Sequence, residues 1–163
     1  METSYRHSAS FGKRQEYVAI AELLRRNYDV YMTLVDDQGI DCVVRQGPNK
    51  FFDVQIKARS KDCNPKNASH FPQLVVPEPR KNYIFIFYSE RIDKYWVIPS
   101  TTLVSPGFAN QIKSGPSKDK YRVMLTNYSL ATGQVNIRPK YKKWIDAFEE
   151  VFGPPPKFVT DDL

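Results

Sequence analysis

The chain has 163 residues, 41% of them hydrophobic and 26% charged, with a formal charge of +6 and a sequence pI near 9.3. That is the profile of an ordinary soluble protein, and its length is that of one domain able to bury a real core. Two cysteines without a CxxC spacing exclude the usual structural zinc site and a disulfide framework, and no apolar run approaches the roughly 18 residues of a membrane span.

The first stretch, METSYRHSASFGKRQ, lacks the apolar core of a signal peptide, so a cytoplasmic protein is expected. Residues 1–12 read as a polar, flexible arm. A helix is predicted over Lys13 to Asn27, with Tyr17, Ile20, Ala21, Leu24 and Tyr28 on its apolar stripe and Glu22–Arg26 as an i,i+4 pair. Glu16 lies four residues before Ile20 and seven before Leu23, on the edge of that stripe. A carboxylate there is either a first-turn residue favoured by the helix dipole or an acid facing the sheet, where it needs a partner or a metal.

Two strands follow, Asp29 to Leu34 and Ile40 to Arg45, joined by the turn Asp36-Asp37-Gln38-Gly39. Asp41 sits inside the second strand, where Asp is disfavoured, and is either a strand-end Asp satisfied by backbone donors or an acid placed there for chemistry. Phe51 to Arg59 is the strongest strand signal. Its side chains alternate, so Val54, Ile56 and Ala58 face a core while Asp53, Gln55 and Lys57 form a polar row on the other face.

Beyond it, Ser60 to Lys81 carries four prolines and reads as a long ordered loop. It contains His70, which has no assigned role and contacts either phosphate or nothing. Tyr83 to Tyr88 (YIFIFY) and Tyr95 to Ile98 are predicted strands, Ser100 a cap for a short helix through Val104, and Ser105 to Lys120 loop. Arg122 to Leu125 is the last expected strand. Tyr141 to Phe152 shows Trp144, Ile145, Phe148, Val151 and Phe152 at helical spacing and reads as a second long helix, stopped by Gly153-Pro154-Pro155-Pro156. A Pro-rich acidic tail spans 153–163.

Between Lys113 and Lys143 eight basic residues face one acid, Asp119, with Tyr121, Tyr128 and Tyr141 interleaved. Such a segment is either a surface that tracks phosphates or a solvated basic face.

A helix bearing Glu16, a strand pair bearing Gly39-Ile40-Asp41 and a strand bearing Gln55-x-Lys57 come in an order that resembles the PD-(D/E)xK nuclease superfamily, of restriction-endonuclease-like fold. The motif match covers residues 13–59. Gln55 stands where the pattern has Asp or Glu, and Ile40 where it has Pro. The resemblance implies an α/β fold with a mixed central sheet and flanking helices. It also implies a Mg²⁺- or Mn²⁺-dependent endonuclease that hydrolyses DNA, and a homodimer is expected because a small single-domain nuclease gains reach to both strands by pairing.

Under it, Asp41 is the main metal ligand, joined by the Gln55 amide oxygen and the Ile56 backbone carbonyl. Glu16 acts through a water or on a second ion. Lys57 orients the attacking water and stabilises developing charge, or acts as the base if its pKa is depressed. Hard oxygen ligands suit those ions, which activate water and offset phosphate charge. Lys13, Arg14, Arg59, Lys61, Lys140, Lys142 and Lys143 are the basic side chains assigned to nucleic acid.

Glutamine at position 55 removes one negative charge from the site. The alternative is therefore a catalytically inactive nucleic-acid-binding module of the same fold. A third class, a protein-interaction domain using its aromatic strands, would retain neither DNA nor metal.

Overall fold

The computed structural model describes residues 5–35 and 38–157. Asp36 and Asp37, the first four residues of the predicted arm and the end of the acidic tail from residue 158 lie outside them.

Helix α1 spans Tyr5–Arg25. Strands β1 (Asp29–Met32), β2 (Cys42–Arg45) and β3 (Phe51–Arg59) form an antiparallel meander. The chain then passes through a 3₁₀ turn at Pro65–Asn67 and strand β4 (His70–Leu74), and β5 (Tyr83–Ser89) returns parallel to β3. Strand β6 (Lys94–Pro99) pairs antiparallel with β5, giving a mixed five-stranded sheet of order β1-β2-β3-β5-β6. Helix α2 (Ser100–Leu103), β7 (Asn110–Gln111), β8 (Tyr121–Met124), β9 (Thr126–Tyr128), β10 (Val135–Ile137) and helix α3 (Phe148–Phe152) complete the order. Strands β4-β8-β7 make a second sheet and β9-β10 a hairpin.

Strand alternation divides the interior between the two faces of the large sheet. On one face Ala19, Ile20 and Leu23 of α1 and Phe148 and Phe152 of α3 pack against Cys42, Val44, Val54, Ile56, Ile84 and Ile86. On the other, Phe85, Phe87, Trp96 and Ile98 are covered by Phe71, Leu74 and Val123 of the small sheet and by Leu103 and Tyr141. Gln55 and Lys57 belong to this second face, because in the parallel register they lie beside Phe85 and Phe87.

Several elements differ from the sequence reading. Helix α1 begins at Tyr5, so most of the predicted flexible arm is helical. Polarity decides which face of a helix is dry, not whether the backbone coils. The buried row of α1 is Gln15, Ala19, Ile20 and Leu23, leaving Tyr17 and Leu24 more than half exposed. Ala19 is small enough to let the helix backbone close on the sheet, and Tyr28 joins the core from beyond the helix end. Glu22 does bond Arg26, at 2.7 Å, and bonds Arg25 as well.

The predicted Ser60 to Lys81 loop contains β4, whose hydrogen-bonding partner β8 lies far along the chain. Pro72 is tolerated because the β4–β8 register shifts between Phe71 and Leu74. Two further strands, β9 and β10, follow the one expected to be last. Ser100 is the first residue of α2 rather than its cap, and its hydroxyl instead accepts from the Arg80 N–H at 3.0 Å and donates to the Arg80 carbonyl at 2.8 Å.

Tyr141 to Phe152 is not one helix. A 3₁₀ segment over Pro139–Trp144 ends at an extended Ile145, which bridges to Trp96, and α3 starts afresh at Phe148. The apolar spacing is real, but Tyr141, Trp144 and Ile145 pack on one face of the large sheet and Phe148, Val151 and Phe152 on the other. A straight helix cannot serve both. The break at Asp146, in the left-handed region at φ +49°, carries the chain around the β6 edge.

No helix among the described residues is long and apolar enough to cross a membrane.

Candidate active site

The site forms where β2 parts from β3. The Asp41 N–H still donates to the Val54 carbonyl at 2.8 Å, while its carboxylate oxygen Oδ2 accepts the Ile56 N–H at 2.6 Å. One residue thus attaches to β3 on both sides of Gln55. The neighbouring Ile40 carbonyl accepts from the Thr33 hydroxyl at 2.9 Å. The N–H and C=O of one strand residue lie on the same edge of the strand, so the Ile56 carbonyl shares the edge at which Asp41 sits. Both Asp41 and Gln55 are buried, each about 8% exposed, so their polar atoms are held in place rather than solvated.

Gln55 is fixed from the other side by β5. The Tyr83 hydroxyl lies 3.1 Å from its Oε1 and 2.8 Å from the Gly39 carbonyl. Gly39, at φ +69°, has to be glycine for this arrangement: a Cβ there would meet the Tyr83 oxygen at 3.1 Å and the Gln55 amide at 3.2 Å.

Two residues before Gln55, Asp53 is ion-paired with Arg80. The Arg80 guanidinium also stands 4.7 Å from the Tyr83 ring centroid, its backbone held by Ser100. Asp53 is therefore committed to Arg80 and is not available beside Asp41. The cleft in front of this row has a volume of about 670 Å³ and is lined by Gly39, Gln55, Lys57 and Arg59, with Phe71 and Leu74 of β4 opposite.

Glu16 reaches the region from α1, on the other face of the sheet. Its carboxylate bonds Lys13 at 2.6 Å. The Lys13 ammonium is raised above its usual range chiefly by that bond and also by the charge of Asp41. Burial pushes the Cys42 thiol up to about 12, with Asp41 and Glu16 adding to the shift. Lys13, Glu16 and Asp41 thus act on one another's surroundings, although the bound partner of Glu16 is Lys13.

The structure brings together Asp41, Gln55, Ile56 and Lys57, with Glu16 and Lys13 behind them. It does not gather all the basic residues assigned to nucleic acid. Arg59 continues the cleft face of β3. The guanidinium of Arg14 lies 5.3 Å from the Phe11 ring centroid on α1, and Lys61 follows β3 with its backbone N–H on Glu90. Lys140, Lys142 and Lys143 lie on the 3₁₀ segment that packs against β6, where Lys140 donates to the Phe108 carbonyl at 2.5 Å and Lys143 sits over Trp144.

Sequence reasoning missed Tyr83 and Arg80. The signal for Tyr83 was present, since a β5 parallel to β3 puts the first residue of YIFIFY on the polar row's face. Among the described residues no three His, Cys, Asp or Glu side chains cluster as a metal site would require. The donors at Asp41 are instead one carboxylate, one amide and one peptide carbonyl, all hard oxygens that suit Mg²⁺ or Mn²⁺.

No family model matches the chain, and no curated protein matches it. Among solved structures it is similar to a bacterial homing endonuclease, I-Ssp6803I, at 15% sequence identity over 91% of each chain with a TM-score of 0.55. At that identity the likeness shows a shared fold, a mixed α/β sheet with flanking helices.

Proposed function

We propose that the chain is a metal-dependent deoxyribonuclease of the PD-(D/E)xK type. The observation that carries this reading is the attachment of Asp41 to β3 on both sides of Gln55. It assembles a carboxylate, an amide and a peptide carbonyl at one edge, beside Lys57 and a cleft. The fold shared with a homing endonuclease supports it.

Asp41, Gln55 and the Ile56 carbonyl would hold Mg²⁺ or Mn²⁺, with Glu16 contributing from α1. When bound, the ion lowers the pKa of an attacking water and offsets charge on the phosphate. Lys57 orients the water and stabilises the charge that develops on the phosphate oxygens. Tyr83 holds the Gln55 amide in place, and Arg80 keeps Asp53 occupied.

The enzyme acts as a homodimer, which gives a small nuclease reach to both strands. Supporting this, the outer face of α1, edge strand β1 and the segment just after it expose Tyr17, Leu24, Tyr31, Met32, Leu34 and Val35. Light scattering on the purified chain should give twice the monomer mass, and a monomer at all concentrations removes the dimer.

A second reading, a nucleic-acid-binding module without catalysis, is favoured by the neutral Gln55. It predicts DNA affinity that is indifferent to Mg²⁺ and strongly salt-dependent. Incubation of plasmid, single-stranded and branched DNA with Mg²⁺, Mn²⁺ or EDTA, wild type beside Lys57→Ala, separates the two. Metal-dependent cutting that disappears in the variant supports the nuclease. Retention of DNA in EDTA with no cutting in either metal supports the binding module.

A further inference from the structure

Beyond Lys57, β3 presents one more side chain on the cleft face. Arg59 follows by two residues, about 6.6 Å along the strand, and it lines the same cleft as Gln55 and Lys57. Its side chain crosses to β4, donating Nε–H to the His70 carbonyl at 2.7 Å with its guanidinium carbon 5.2 Å from the Phe71 ring centroid. Burial lowers its pKa, and no carboxylate is among the groups acting on it.

The β4–β8 register extends this cluster. His70 pairs with Met124 and Phe71 with Val123. Phe71 and Val123 are in the core, so His70 and Arg122 share the outward face of the small sheet. Arg138 arrives from β10: its N–H donates to the Leu125 carbonyl at 3.0 Å and its Nε to the Thr126 carbonyl at 3.4 Å, beside the same end of β8.

Four elements far apart in sequence therefore bring three guanidinium groups around one imidazole. The imidazole records their field. Its pKa is lowered by burial and then by Arg59, Arg122 and Arg138, with no acid opposing them. None of the three arginines forms an ion pair among the described residues. Arg59 and Arg138 are only partly exposed. Holding like charges together while partly desolvated is costly unless an anion completes the group. Planar guanidinium donors suit a phosphodiester in particular.

We propose that Arg59, His70, Arg122 and Arg138 form a phosphate-binding subsite for the DNA backbone, adjoining the Asp41–Lys57 cleft through Arg59. The identity of the anion as a DNA phosphodiester rests on the nuclease reading. The subsite positions the strand that enters the cleft and does no chemistry. Strand β4 is the shared wall, since Phe71 faces the cleft while His70 lies on the opposite face of the strand.

The test is the salt dependence of binding to a short DNA duplex in EDTA, measured by fluorescence anisotropy, together with steady-state cleavage in Mg²⁺. Arg122 is exposed, so Arg122→Gln leaves the fold intact. Arg138→Gln is the second variant, and Lys118→Gln, an exposed cation outside the cluster, is the control. Arg122→Gln should weaken binding several-fold and reduce the slope of log K against log salt by about 0.9. It should raise KM and leave kcat unchanged, while Lys118→Gln changes each far less. A wild type that binds and cuts, with Arg122→Gln and Arg138→Gln unchanged in slope and KM, overturns the subsite and leaves the nuclease standing. An equal loss in Lys118→Gln overturns it too, because general charge would then explain the effect. A wild type that neither retains nor cuts DNA overturns the nuclease reading and the subsite with it.

Discussion

The Tyr83 hydroxyl stands 3.1 Å from the Gln55 side-chain oxygen while also reaching the Gly39 carbonyl at 2.8 Å. A phenol has one proton to give. Shared between the Gly39 carbonyl and the Gln55 amide oxygen, it holds that oxygen at the edge where a cation would bind. Tyr83→Phe should therefore fold normally and need more Mg²⁺ for half-maximal cleavage. A net hydrogen bond of about 0.5–1.5 kcal/mol corresponds to up to roughly a tenfold shift. An unchanged Mg²⁺ dependence would show that Tyr83 does not set the amide.

Asp41 has a structural duty besides its proposed chemical one. Its buried carboxylate accepts the Ile56 N–H, so Asp41→Ala leaves that N–H without its acceptor, at a cost of about 1.5–3 kcal/mol. Asp41→Asn keeps an acceptor oxygen and should recover most of the loss. Urea denaturation of the three proteins in EDTA checks this, and equal midpoints would contradict it.

Gln55→Glu supplies the carboxylate that the motif lacks. Two buried acids would then adjoin, and without a cation like charges destabilise the fold. The variant should melt below wild type in EDTA and gain more than wild type on adding Mg²⁺, because binding to the folded state alone stabilises it. Thermal melts with and without Mg²⁺ measure both effects. A variant that Mg²⁺ stabilises no more than wild type contradicts the proposed ligand set.

His70 gives a pH signature. Its folded pKa lies below the ordinary 6.5, because of burial and then Arg59, Arg122 and Arg138. The unfolded chain therefore binds more protons between the two values, and stability falls as pH drops through 6.5 towards the folded pKa. His70→Gln removes that contribution. Between pH 7.5 and 5.5 wild type should lose more stability than the variant, and equal losses would place His70 outside the positive field.

The sequence made β3 legible to the residue, Phe51–Arg59, because strict alternation and its apolar face are local properties. Asp41 reaches β3 beside Gln55 because adjacent strands of a meander bring near neighbours together, and Gln55 and Lys57 line one cleft. What escaped reading depended on distant partners. Strand β4 is strand only because β8 pairs with it, and Tyr83 becomes part of the site only through a parallel register. Arg59, His70, Arg122 and Arg138 come from four separate segments, and no spacing rule connects them. The exposed side of α1 carries apolar residues as good as those buried, so periodicity alone could not choose between Tyr17 and Ala19.

The most direct test of the account is cleavage of supercoiled plasmid by wild type and Asp41→Asn, side by side in Mg²⁺ and in EDTA. Asparagine preserves the bond to Ile56, so a difference between the two proteins reports chemistry rather than folding. Wild type should cut in Mg²⁺ alone, and Asp41→Asn should not cut. Equal cutting by both proteins, or cutting by wild type in EDTA, would contradict it.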